Sequence, residues 1–258
     1  MRILIFIVRY KETDALYRCL ESIGNHPVDI IIMNNYSTLM LSHPNVTIIN
    51  NAARPDFSTG HLARNWNQAL LHGFKNLSCP DYDRIICLQA DAIMRPSWYS
   101  AIHALDPRIH FMSLGRGDEF QMFTPEGVRK VGLYDERFCN IGYHEADYFL
   151  RNVLTHPSNC VVNDKLHMRL HNPFCIDPDL FIEETQLNQN DDHIQSKVYH
   201  NISLRWFHMK WGISMEPESW DMSEISKMTT PKHKEIMLYP YFEHEIEKDV
   251  YIIFESIQ

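Results

Sequence analysis

Two rhythms of apolar and polar positions alternate along the first hundred residues. Apolar runs at ILIFIV (3–8), VDIIIMNN (28–35), VTIINN (46–51) and DRIICLQAD (83–91) read as strands, the first continuous enough to be covered on both faces. Between them TDALYRCLESIGNH places Leu16, Cys19, Leu20 and Ile23 on one helical face, with Gly24 as the stop. GHLARNWNQALLHGF (60–74) does the same with Leu62, Trp66, Ala69, Leu70 and Phe74, and RPSWYSAIHAL opens another helix. Strands alternating with helices predict an α/β protein with a mostly parallel sheet. Such sheets bind ligands beyond the C-terminal ends of their strands. Arg9-Tyr10, Asn34-Asn35 and Gln89-Asp91 fall at those ends and are predicted to line one cleft.

Beyond residue 110 the pattern loosens. FMSLGRGDEFQMF predicts short strands, and a helix follows around 125–131. GYHEADYFLRNVL (142–154) predicts a helix whose acidic first turn suits the N-terminal end of the macrodipole. CVVNDKLHMRLHN reads as a strand running into a His-bearing loop, and SKVYHNISLRWFHMKWG as a helix. The aromatic tail is expected to shape an acceptor site or an oligomer contact; a core stripe is the plain alternative, because Trp206, Met209 and Ile213 recur at helical spacing. The expected division is a catalytic domain over 1–175, with a nucleotide half to about 98 and an acceptor half to 175. An acidic, aromatic extension over 176–258 packs on it.

Composition adds exclusions. Hydrophobic residues make up 45% and charged residues 22% of the 258, ordinary for a globular protein. Residues 1–175 carry 17 basic and 17 acidic side chains, while 176–258 carry 7 against 16, so the net −9 lies in the tail. No basic face for nucleic acid is expected. The six cysteines form no C-x-x-C pair and point to a reduced, cytoplasmic chain. ILIFIV is far too short for a membrane span, so no transmembrane segment is expected, and the four N-x-S/T sequons read as chance.

Five blocks in order carry a family resemblance. RYKETDALYRCLESI after the first strand, VDIIIMNNYST, GHLARNWNQAL, DRIICLQADAIMRPSW and VGLYDERFCNIGYHEADYFLR together resemble a GT-A glycosyltransferase, most similar to the inverting family-2 group, over roughly residues 3–172. FHMKWGIS is similar to a Lys-Trp-Gly element of some eukaryotic and viral members. The resemblance implies a Rossmann-like GT-A fold and transfer of a sugar from a nucleotide diphosphate, by default UDP, to an acceptor hydroxyl of a glycan or glycoconjugate. The chemistry fits these residue types. A diphosphate leaving group calls for a divalent cation on oxygen ligands, and an acceptor hydroxyl needs a carboxylate base within reach.

The resemblance assigns roles residue by residue. Asp91 matches the last acid of the family's D-x-D and would hold Mn²⁺ or Mg²⁺; a turn or helix N-cap aspartate is the plain alternative. Gln89 stands where the first acid would be and, with Ala90, would contact the nucleotide; its amide hydrogen-bonds a ribose without adding charge. Glu145 matches the base, with Asp147 or His144 as alternatives, although Asp147 and Arg151 at i+4 also suit a structural pair. One of His167 and His171 is expected to join the metal. Arg9, Tyr10, Glu12 and Asn34 would hold the nucleoside, Asn34 standing where the family usually has Asp. Arg64 would reach the diphosphate or pair with a carboxylate, and Asn65 would cap or bridge its helix.

The family's processive members carry Gln-x-x-Arg-Trp; here Arg205-Trp206 stands without the Gln, which implies a non-processive enzyme. Two other readings remain. A catalytically silent GT-A domain that binds nucleotide sugars or glycans is favoured by Gln89 and Asn34. A nucleotidyltransferase is disfavoured because KETDALYR lacks the glycines of a phosphate loop.

Overall fold

The computed structural model describes residues 1–10, 13–36, 39–41, 43, 45–50, 61–115, 117, 119–138, 143–164, 171–183 and 197–212. The elements are β1 (Ile3–Arg9), α1 (Thr13–Ile23), β2 (Asp29–Asn34), β3 (Val46–Asn50), α2 (His61–Phe74), β4 (Arg84–Gln89), β5 (Ile93–Met94) and α3 (Trp98–Ala104). They continue with β6 (Phe111–Gly115), β7 (Phe120–Phe123), α4 (Pro125–Val131), α5 (Tyr143–Thr155), β8 (Cys160–Asp164), β9 (Ile182–Glu183) and α6 (Lys197–Trp211). Each strand and helix expected from the patterning is present, within a residue or two at its ends.

Seven strands form one sheet in the order β3-β2-β1-β4-β7-β6-β8. Only β7 runs against the rest, because it pairs antiparallel with both β4 and β6. The runs of β1 and β4 are buried on both faces, as expected for central strands between two helical layers, whereas β3 at the edge of the sheet is only partly covered. Odd positions of β1 (Ile3, Ile5, Ile7) pack with α1 and α3, through Leu16, Cys19, Trp98 and Ile102. Even positions (Leu4, Phe6, Val8) pack with α2 and α5, through Trp66, Leu70, Phe149 and Val153. A slip of one residue in any strand would exchange these two cores, so the register is firmly set.

Every C-terminal strand end except that of β7 lies on one edge of the sheet, and the start of β7 returns to that same edge. This is the arrangement that collects the functional side chains. The described residues beyond 175 are tied into the body: Phe181 and Ile182 enter the core, β9 pairs with β5, and α6 packs on α5. α6 does not bury the core stripe that its spacing offered as the alternative. Met209 is 70% exposed and Trp206 half-buried, whereas Ser203, Phe207, Lys210 and Trp211 face inward. Ile213 lies outside the described residues. Spacing alone favoured the wrong face because Lys210 is buried by ion pairing, which a hydrophobic pattern does not register. Among the described residues no helix is long and apolar enough to cross a membrane.

Candidate active site

The ends of β1, β2 and β3 form a row of polar side chains. Their registers set Arg9 beside Asn34 and Asn34 beside Asn50. Arg9 Nη1 donates to Asn34 Oδ1 at 2.6 Å, and Asn34 Nδ2 donates to Asn50 Oδ1 at 2.7 Å. Asn50 Oδ1 also accepts from the backbone of Leu39 at 3.3 Å, which fixes the orientation of its amide. An aspartate at 34 would accept from Arg9 but would set oxygen against oxygen at Asn50. The uncharged residue at 34 is therefore what this row requires. Arg9 and Asn34 are buried. Tyr10, just beyond, meets Tyr36 edge to face with ring centroids 5.7 Å apart, and the Arg9 guanidinium lies 6.0 Å from the Tyr36 centroid. The edge thus carries polar donors and acceptors next to two aromatic rings. Glu12 lies outside the described residues.

At the end of β4 the chain turns sharply. Ala90 N donates to Val8 O and Ala92 N to Gln89 O, both at 3.1 Å, so Asp91 sits in a turn directly over the strand end. It is no helix cap: α3 begins at Trp98, with Ser97 before it. Asp91 is only 8% exposed and leans toward α1. Burial pushes the Cys19 thiol up, and the negative charge of Asp91 adds to that push.

The proposed base comes from the other side of the edge. Glu145 occupies the first turn of α5 and is 1% exposed. Its Oε2 lies 3.0 Å from His144 Nδ1. Its Oε1 lies against the turn between β6 and β7, where a Cβ at Gly117 would come within 2.9 Å of it. Gly117 also has φ +65°, so a glycine is needed there twice, for the backbone and for the carboxylate. Ser113 Oγ donates to Gly117 O at 3.2 Å and holds the turn in place.

This turn carries a residue that sequence reasoning passed over. Glu119 is buried, and its Oε2 would lie 2.6 Å from a Cβ at Gly115. Its carbonyl accepts from Gln89 N at 3.3 Å, so it is the cross-strand neighbour of Gln89. The available signal was Gly115-x-Gly117-x-Glu119, alternate glycines before an acid in a tight strand connection.

Other expected site residues are engaged in holding the fold. Arg64 Nε pairs with Glu136 Oε2 at 3.0 Å, both buried, and Asn67 Nδ2 reaches Glu136 Oε1 at 2.9 Å. The carboxylate-pairing alternative for Arg64 is the one the geometry realises. Asn65 is buried and its Nδ2 has no hydrogen-bond partner, so it makes no cap through that group. Asp147 accepts from Arg151 Nε at 3.0 Å and from Trp211 Nε1 at 2.9 Å, and lies 2.7 Å from Lys210 Nζ.

The expected metal donors are not brought together among the described residues. His171 bridges to Val162, and its Nε2 lies 2.8 Å from Pro157 O, before the start of β8 and hence toward the far end of the strand from Asp91. His167 lies outside the described residues. Among those described, no three His, Cys, Asp or Glu side chains converge on one point. A single strand-end carboxylate beside a neutral Gln89 does suit a hard cation that arrives with phosphate oxygens, because magnesium sites use one or two carboxylates plus substrate phosphates.

No protein-family model matches this sequence, and no curated protein matches it. A solved structure does resemble it in three dimensions: TarS residues 1–349 of S. aureus, a glycosyltransferase, with a TM-score of 0.51 at 8% identity. The match covers 81% of this chain and 65% of that one, so the chain spans less than two thirds of the structure it resembles. At that identity the likeness speaks for architecture, and it agrees with the sheet order described above. The chain has a Rossmann-like GT-A fold, an α/β domain with a mostly parallel central sheet flanked by helices.

Proposed function

We propose that this protein is a non-processive, inverting glycosyltransferase that moves a sugar from a nucleotide diphosphate, UDP by default, to an acceptor hydroxyl of a glycan or glycoconjugate. The observation that carries this reading is the pairing of two opposed features on a GT-A sheet edge. A nucleoside-type surface of Arg9, Asn34, Tyr10 and Tyr36 lies on one side, and Glu145 enters from the helix on the other.

In this mechanism Glu145 takes the proton of the acceptor hydroxyl as its oxygen attacks the anomeric carbon, and the nucleotide diphosphate leaves from the opposite face. His144, at 3.0 Å, fixes one carboxylate oxygen and leaves the other directed toward the hairpin turn. A base must lie within hydrogen-bond reach of the proton it removes, so this orientation matters more than raw basicity. Asp91 would hold Mn²⁺ or Mg²⁺, which when bound neutralises charge on the departing diphosphate. Gln89 contacts the nucleotide through its amide.

The test is nucleotide release from a panel of nucleotide sugars in the presence of Mn²⁺. Wild type is expected to release nucleotide from at least one donor, and Glu145→Gln to lose at least a hundredfold of that rate while still binding UDP. Absence of release from every donor, or a Glu145→Gln variant as active as wild type, would sink the enzyme reading. A silent binding module is the second reading, favoured by the neutral side chains at 34 and 89. It predicts nucleotide-sugar binding with no release at all.

A further inference from the structure

Behind Glu145, on the opposite side of α5, lies a dense buried charge network. Residues two apart on a helix point about 200° apart, so Glu145 meets the hairpin turn while Asp147 faces α6. Lys210 Nζ bridges Asp147 at 2.7 Å and Asp135 at 2.9 Å, and all three side chains are fully buried. Trp211 Nε1 adds a hydrogen bond to the same Asp147 oxygen that Lys210 approaches. Arg137 Nη2 closes on Asp135 at 2.6 Å. Arg151 holds Asp147 at 3.0 Å and donates to the carbonyls of Val131 and Leu133. α6 ends immediately afterwards, with Gly212 N donating to His208 O at 2.8 Å. The Lys-Trp-Gly triplet thus supplies an ion, an indole donor and a helix stop at one place.

A buried lysine between two carboxylates is a poor way to gain stability, since desolvating three charges cancels most of their attraction. What such an arrangement does supply is fixed geometry: breaking it strands a buried carboxylate, so the helix has few other positions open to it. We propose that Lys210 and Trp211 are positioning residues of the transfer site, clamping α5 through Asp147 so that Glu145 stays against Gly117. The inference rests on the reading of Glu145 as base. It assigns the C-terminal helix a part in the reaction, and it assigns Asp147 to the clamp and not to proton transfer. If the clamp loosens, α5 shifts so that Asp147 can be rehydrated, and Glu145 leaves the turn. Displacements of about 1 Å at a reacting group cost on the order of a hundredfold in rate.

Trp211→Phe is the decisive variant, because it keeps an aromatic ring against Phe207 while deleting the indole donor together with part of the ring volume. One lost hydrogen bond to a carboxylate predicts about a tenfold fall in kcat. The affinity for UDP should be unchanged, and the acid limb of the pH–rate profile should move. Lys210→Met should lose more, and Lys210→Met with Asp147→Asn should recover folding without recovering rate. Hydrogen exchange over Tyr143–Tyr148 provides a readout that needs no substrate; it should quicken in Trp211→Phe while α1 stays protected. A folded Trp211→Phe with wild-type kcat and pH profile, or with unaltered exchange in α5, would overturn the proposal and leave the transferase reading intact. If wild type releases no nucleotide, that reading fails by itself, and the exchange experiment alone decides whether the clamp exists.

Discussion

At the scale of single residues, the neutral side chains at 34 and 89, where the resemblance leads one to expect acids, have local reasons. Asn34 is neutral because it must accept from Arg9 and donate to Asn50 at once. Gln89 is the cross-strand neighbour of the buried carboxylate Glu119, and a second acid there would face like charge across the strand pair. This leaves Asp91 as the acid at the end of β4, and the Mn²⁺ or Mg²⁺ proposed for it should bind chiefly together with the donor. Calorimetry with Mn²⁺ is expected to show at least tenfold tighter binding when UDP is present. Equal affinity in its absence would refute this account of the site. The strand-end residues themselves were legible in the sequence, since apolar runs that stop at Arg9, Asn34 and Gln89 mark the edge directly. The partners of Arg64 and the direction of His171 were not. Glu136 is 72 residues from Arg64, and Pro157 is 14 residues from His171, distances over which no local pattern operates.

Among the elements, the β6–β7 hairpin and α6 gave the least away. Periodicity announced two short strands there, yet the reversal of β7 follows from its pairing with β4 and β6, which no single segment encodes. The same pairing turns Gly115, Gly117 and Glu119 from an unremarked loop into a wall of the site. The hairpin makes a sharp prediction. In Gly117→Ala the new methyl meets Glu145 Oε1, and the backbone must hold φ +65° with a side chain attached. Stability should fall by about 1–2 kcal/mol in urea unfolding, and nucleotide release should fall further than UDP affinity. An alanine variant with unaltered turnover would mean that Glu145 does not act from the position described. For α6, the hydrophobic pattern pointed at Met209, but the inward face was settled by the charge of Lys210, whose partners Asp135 and Asp147 lie on other elements.

Over the whole molecule, the buried charges set how the fold responds to acid, and two groups act in separate windows. His156 is buried, with neither ring nitrogen hydrogen-bonded. Burial pulls its pKa down to about 4, with the charges of His110 and Lys130 pulling the same way and its own backbone bond and Glu126 opposing. Its neutral form is the native one, so the unfolded chain binds more protons between about pH 6.5 and 4, and stability falls as pH drops through that range. Burial would raise the Asp135 carboxyl, but the hydrogen bonds of Arg137 and the charge of Lys210 outweigh it and bring it down to about 2. That contribution is complete above about pH 4 and disappears as pH falls toward 2. Unfolding free energy measured from pH 7 to 2 should therefore decline through two adjoining ranges, the first set by His156 and the second by Asp135. His156→Leu should flatten the first by about 3 kcal/mol and leave the second. The two groups also sit apart: His156 follows the C-terminal end of α5, about three turns from Glu145, whereas Asp135 belongs to the network behind Glu145. The first step should thus weaken the fold without touching nucleotide release, and the second should remove both together. If activity instead followed His156 titration, Glu145 would be coupled to the far end of its own helix, and the clamp at Lys210 would not be the contact that governs it.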